Sequence, residues 1–334
     1  MTDDIGSIVE DQFTKLLEQH VDRAAIQSAE LKAISTTLWD AVEDAGLPLA
    51  LLPEAEGGIG LNPVAVFKLI STSAYYALPL PLGETIVAGA LIGRNMKGPL
   101  SLGLCENGAA LRVPFGADAA HLLCSDEDGW SLVDASNVEA SRGGNLAGEA
   151  RDDLKLSPGK MEKLNRPDWL GTDGLKAAGA LIRAAQMRGA MRRAVDMSLA
   201  HSREREQFGR PISKFQAVQH MLADASVQLV AAGALVDNAA EAWGNDDFEF
   251  RAALAKSRAG KASGKVAEVA HQVHAAMGFT QDHDLNFYTR RLWSWRDEFG
   301  SEAYWQEKIG RDICAQGGAA LWPRLISATA GAAV

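Results

Sequence analysis

Residues 205–224 read REQFGRPISKFQAVQHMLAD. They follow a run beginning near Gly174 that is rich in Ala, Leu, Met and Arg and holds no proline before Pro211. Such a run predicts a long helix. It must stop near Gly209, because Pro211 has no amide hydrogen with which to continue it. Arg205 then falls in the last turn, where the helix dipole favours a cation. Taken as charges only, the corner is a solvated surface of paired Arg and Glu. The abrupt Phe208, with Gln207 beside it at an exposed corner, argues for more than that.

Working outward, a second helix is expected over Ser213 to Trp243, with Phe215, Val218, Leu222, Ala225 and Leu229 on one stripe. A third is expected from Phe248 to about Met277 and a fourth from Ser301 to Ala315. Four long helices with short connections predict an antiparallel bundle over residues 159–334. Residues 1–98 are also helical in pattern: Leu16, Leu17, Val21, Ala24 and Ala25 recur at three- and four-residue spacing, as do Leu38, Val42 and Leu47 around Trp39. Two breaks interrupt them, LPEAEGGIGLNP (Leu52 to Pro63) and ALPLPLGE (Ala77 to Glu84). Between residues 99 and 158, short apolar runs separated by turn residues predict a small β domain. Its polar tail, Ser141 to Gly159, reads as a link, and the Ala- and Gly-rich last eight residues are expected to fray.

The chain has 334 residues and a formal charge of −10. That balance argues against a nucleic-acid protein, whose affinity comes from Lys and Arg on phosphates. No window offers the ~20 apolar residues of a membrane helix. The acidic start, MTDDIGSIVEDQF, is unlike a signal peptide. Cys105, Cys124 and Cys314 form no CxxC pair, so they are expected to be buried small hydrophobes in a reducing cytoplasm. His271 and His274 are three apart but lack a carboxylate or thiol partner, so no metal is expected.

The stretch from Arg205 to Asp224 resembles the signature of the acyl-CoA dehydrogenase family, flavoproteins that desaturate acyl-CoA thioesters. Trp39 with GLPLALLPEAEGGIGL, then ALPLPLGET, resembles that family's helical entry. AHQVHAAMGFT (Ala270 to Thr280) resembles its C-terminal segment, which usually carries a Gly-Gly pair. The resemblance implies a mainly α fold with an N-terminal helical domain, a reduced central β domain and a C-terminal four-helix bundle. It implies FAD as cofactor. Arg205 corresponds to the arginine that reaches the flavin pyrophosphate of a neighbouring subunit, for which a bidentate guanidinium is suited. Gln207, Phe208, Phe215 and Gln216 match positions lining the adenosine half, and Gln272 one near the adenine end. Ala275 and Ala276 stand at the glycine pair, each adding a methyl group where backbone approaches the cofactor.

The resemblance fails at catalysis. The family removes the substrate α-proton with a glutamate while hydride leaves the β-carbon for the flavin. The usual base position holds Phe299, and the alternative one, near the start of the first bundle helix, holds Gly179. Glu298 is the one weak candidate base, a residue away from the expected place. Along a helix end such a step turns a side chain by about 100°. Glu298 and Asp297 are therefore expected to serve as surface or structural partners of Arg290, Arg291 and Arg296. The β domain also lacks the family's ring-binding segment, and Trp130 is expected to be a core residue.

Three readings follow. One is a companion subunit that donates Arg205, Gln207 and Gln272 to a flavin held mainly by a homologous catalytic partner. Another is a self-sufficient homo-oligomer with Glu298 as base, and the third a helical interaction protein without flavin. Two independent losses, the base and the ring-binding segment, favour the companion. Acyl-CoA is the implied substrate, and an electron-transferring flavoprotein the implied acceptor.

Overall fold

The computed structural model describes residues 2–30 and 33–329. The end expected to fray lies mostly outside them. Five helices open the chain: α1 (Thr2–His20), α2 (Arg23–Ala29), α3 (Thr36–Asp44), α4 (Pro63–Tyr75) and α5 (Leu82–Ile92). Their starts are chemically marked. The Ser35 hydroxyl accepts from the Leu38 amide, and the Asn62 side-chain oxygen Oδ1 accepts from the Val64 amide while Pro63 occupies the first helical position.

A seven-stranded sheet follows, comprising β1 (Leu100–Glu106), β2 (Ala109–Pro114), β3 (His121–Asp126), β4 (Gly129–Asp134), β5 (Val138–Ser141), β6 (Arg151–Leu156) and β7 (Met161–Leu164). Its order is β5-β6-β2-β1-β3-β4-β7, and only the β1–β3 pairing is parallel. Adjacent residues alternate between two cores, as pleating requires. Leu102, Leu123 and Trp130 join the core shared with the helices. Leu122, Cys124, Val133 and Leu154 line a second core on the other face.

The sheet overruns the expected boundary at residue 158, because β7 pairs with β4. The tail that reads as a link contains β6, in the middle of one half of the sheet. Its charges disguise it: Arg151 and Asp152 are buried, and Asp152 accepts from the Ala117 and Gly143 amides.

The remainder is helical: α6 (Gly174–Glu204), a two-residue hairpin pair β8 (Glu206–Gln207) and β9 (Arg210–Pro211), α7 (Gln216–Glu241), α8 (Phe248–His274), α9 (Leu285–Asp297), α10 (Glu302–Gln316) and α11 (Leu321–Thr329). The sequence reading missed α9, whose alternation of Trp, Arg and Phe has no clean apolar stripe because Arg291 is itself buried. The third expected helix ends at His274, three residues early, and passes into a 3₁₀ turn over Ala275–Phe279. Helix α6 is central and buried around most of its circumference. Where it crosses α4, a Cβ on Gly189 would lie 1.9 Å from the Ser71 carbonyl oxygen, so only glycine allows that approach. The cysteines divide: Cys124 is buried, Cys105 half-buried and Cys314 exposed, so the expectation of three buried thiols fails at Cys314 on α10.

Candidate functional site

Helix α6 carries a site at each end. Near its start Gly179 is buried, and a Cβ there would sit 2.3 Å from the ring of Phe299. The phenyl ring therefore packs directly against the glycine. Phe299 belongs to the turn after α9 and has φ 53°, followed by Gly300 at φ 98°. One helical turn from Gly179, the Arg183 guanidinium stands over the same ring, 5.4 Å from its centre.

The residue before Phe299, Glu298, has a side chain 9% exposed. Arg151 donates to both its oxygens, Nε at 2.8 Å and Nη2 at 3.0 Å. Arg183 Nε donates at 2.5 Å and Asn145 Nδ2 at 3.1 Å. Arg183 also pairs with Glu84 at 2.8 Å, and Arg151 with Glu149 at 3.0 Å. Glu149 accepts from the Trp295 indole and lies 3.4 Å from Arg291. Three buried arginines thus face three buried glutamates drawn from α5, the β domain, α6 and the end of α9. Burial pushes the Glu298 carboxyl up, but Arg151 and Arg183 outweigh it and hold it down at about 2. A carboxylate so held is an ion-pair partner with little proton affinity. A cleft of about 570 Å³ opens between β1–β2 and this turn, lined by Leu102, Leu104, Val113, Trp293, Glu298 and Phe299.

At the other end, α6 stops at Glu204 and Arg205 takes extended backbone. The β8–β9 hairpin turns through Phe208 (φ 54°) and Gly209 (φ 77°), two successive left-handed residues as a tight hairpin requires. Phe208 is 92% exposed at the tip. Phe215 packs edge-on against it, and Arg210 covers Phe215 at 4.3 Å. The C-terminus of α8 lies alongside, with His201 and His274 stacked 4.6 Å apart. Gln272, Ala275 and Ala276 are exposed there. Among the described residues, the side chains of Arg205, Gln207, Gln216 and Gln272 make no ion pair or hydrogen bond. Ala275 has φ 52° and ψ −139°, a conformation favouring glycine. Ala275→Gly is expected to stabilise the chain by about 1 kcal/mol, read as a higher urea midpoint at unchanged slope.

Residues 177–313 match the family described as acyl-CoA dehydrogenase, C-terminal domain. The acyl-CoA dehydrogenase IpdE2 of Mycolicibacterium smegmatis is 28% identical over 295 residues, covering 85% of this chain and 91% of that one. The C-terminal part of the chain thus matches the acyl-CoA dehydrogenase family, and the chain as a whole is similar to acyl-CoA dehydrogenases. Solved members share its fold. One chain of the ChsE4–ChsE5 complex of Mycobacterium tuberculosis superimposes with a TM-score of 0.79 at 23% identity, over 94% of this chain and 97% of that one. Butyryl-CoA dehydrogenase of Megasphaera elsdenii gives 0.78 at 17%, over 92% and 98%. The mainly α architecture expected from the resemblance is the one observed, and the family comprises flavoprotein oxidoreductases acting on CH–CH bonds.

The structure brings together the two positions at which a base was sought. Phe299 and Gly179 are in contact, and no carboxylate lies between them. Glu298 is a structural partner, but of Arg151 and Arg183. Arg290, Arg291 and Arg296 instead pair with Glu30, Glu149 and Glu302. Asp297 is exposed. Trp130 is 2% exposed in the core. The sequence reading missed Glu84, Glu149, Arg151 and Arg183. Arg183 had left a trace, a lone charge in the apolar run GALIRAA. Glu84 carries none, and Glu149 and Arg151, which pair locally, read as part of a polar link because their other partners, Arg291 and Glu298, are remote in sequence.

Proposed function

We propose that this chain is the companion subunit of a heteromeric acyl-CoA dehydrogenase, completing a flavin site whose ring and catalytic base belong to a homologous partner. The observation that carries this reading is the seating of Phe299 on Gly179, which fills the base position with a hydrocarbon ring. The separation along α6 supports it. From Gly179 to Glu204 the helix advances twenty-five residues, about 37 Å. That exceeds the span from the ring to the pyrophosphate of one flavin dinucleotide, so Arg205 and Phe299 would face different cofactors.

The donor set at the far end fits the pyrophosphate and adenosine half of FAD. Arg205 offers a guanidinium, while Gln207, Gln216 and Gln272 offer carboxamides, all exposed and without other hydrogen-bonding duty. Phe208 and Phe215 add apolar faces, and Ala276 lies on the same surface. Bound FAD would supply hydride acceptance for α,β-desaturation of an acyl-CoA thioester. This chain's residues would anchor the cofactor's phosphates and exclude water from its adenosine end. The substrate could be a fatty or sterol-derived acyl-CoA, with an electron-transferring flavoprotein as acceptor.

Flavin content per chain tests the reading. The chain purified alone is expected to carry no flavin, and the pair made with a homologous partner about one flavin per unlike pair. A full complement on the chain alone would overturn it.

A further inference from the structure

Lys256 lies in α8 with no exposed surface. Its ammonium group reaches out of the bundle interior and donates to the carbonyl oxygens of Arg296 at 2.6 Å and Gly300 at 2.8 Å. These carbonyls bracket the turn that carries Glu298 and Phe299. Between them, the Trp305 indole donates to the Phe299 carbonyl at 3.0 Å. The turn needs such holding, because Phe299 adopts left-handed backbone, costing a non-glycine residue about 1–2 kcal/mol. Gly300 follows at φ 98°, and a Cβ there would meet Tyr304 and the Trp305 indole at 2.7 Å.

We infer that Lys256 is the positioning residue of the 297–300 turn: by holding both ends it makes Phe299 the side chain that meets Gly179 and delivers Glu298 to Arg151 and Arg183. A slip of one residue would exchange those roles and turn a carboxylate toward Gly179. An apolar side chain at 256 would remove the lysine donor from two half-buried carbonyls, which a lysine stem of this length avoids. The charges facing the group are Glu298, Glu302, Arg183 and Asp297. Burial lowers its pKa to about 7. The amine retains two N–H donors for the two carbonyls, so the clamp survives deprotonation. The closed base position that Lys256 maintains is the feature on which the companion-subunit reading rests.

The test uses the full chain alone, with Lys256→Met and Lys256→Arg, and reads hydrogen exchange at the Trp305 indole together with the near-ultraviolet circular dichroism of the tryptophans. Lys256→Met is expected to speed indole exchange about tenfold or more and alter the tryptophan band, while α6 amides stay protected. Lys256→Arg, which keeps the donors, should restore slow exchange. Unchanged exchange in folded Lys256→Met, or fast exchange that arginine does not slow, overturns the assignment. Should the methionine variant not fold, the arginine variant decides alone: slow Trp305 indole exchange and an unchanged tryptophan band are expected, and fast exchange in the folded arginine variant overturns the assignment. None of these readouts depends on flavin, so their failure leaves the companion-subunit reading standing. A full flavin complement on the chain alone would leave Lys256's role intact.

Discussion

Glu298→Gln is expected to destabilise the fold by about 3–5 kcal/mol, the cost of leaving buried charge without its partner. Glutamine preserves the shape of the side chain and removes its charge. Arg151 and Arg183, each about 1% exposed, would then share a site short of one anion. Neither can lose its proton in compensation, since arginine remains charged under any physiological condition. The acid dependence follows from the direction of the shift. Glu298 is held at about 2, below its ordinary 4.5. Its contribution is therefore complete above pH 4.5 and is lost as pH falls toward 2. Urea unfolding at pH 7 and at pH 3 should show the variant converging on the parent protein at the lower pH. If the variant keeps parental stability while the flavin-loaded assembly loses turnover, Glu298 is a base after all, and the self-sufficient enzyme returns.

Arg205→Ala should weaken flavin retention by the assembled pair about 10–100-fold, the worth of a charge-assisted phosphate contact of about 1.5–3 kcal/mol. Arg205→Lys keeps the charge but loses the bidentate fork, and should fall between the two. Because Arg205 is exposed, stability of the isolated chain should move by no more than about 0.5 kcal/mol. The measurement is flavin dissociation from the purified pair, followed by recovery of flavin fluorescence. Retention equal to that of the parent protein would remove the pyrophosphate role from Arg205, and would restore the possibility of a helical interaction protein with no cofactor.

Both predictions turn on side chains that were visible in different ways. The corner around Arg205 was legible because everything that shapes it is local. Pro211 and Gly209 mark the break, although the helix ends earlier than expected, at Glu204, and leaves Arg205 in extended backbone instead of the last turn; Arg205 to Phe215 lie within eleven residues of one another. The same holds for the capped starts at Ser35 and Asn62 and for the long uninterrupted run of α6. Such features depend on backbone chemistry and short-range spacing, which a sequence records directly.

The ionic cluster was not legible, because its members come together only across the fold. Glu298 meets Arg151 and Arg183 over sequence separations of 147 and 115 residues. Charge counting near Glu298 pointed to Arg290, Arg291 and Arg296, which are adjacent in sequence but aim elsewhere around α9. The strand β6 was hidden for the same reason: buried Arg151 and Asp152 look polar until their partners are known. By itself, then, the sequence determined the helical framework, the exposed corner after the first bundle helix and the absence of a carboxylate at either base position. Only the tertiary structure decided that Phe299 rests on Gly179 and that Glu298 is locked in an ion cluster, because packing, not spacing, selects which way the residues of one short turn face.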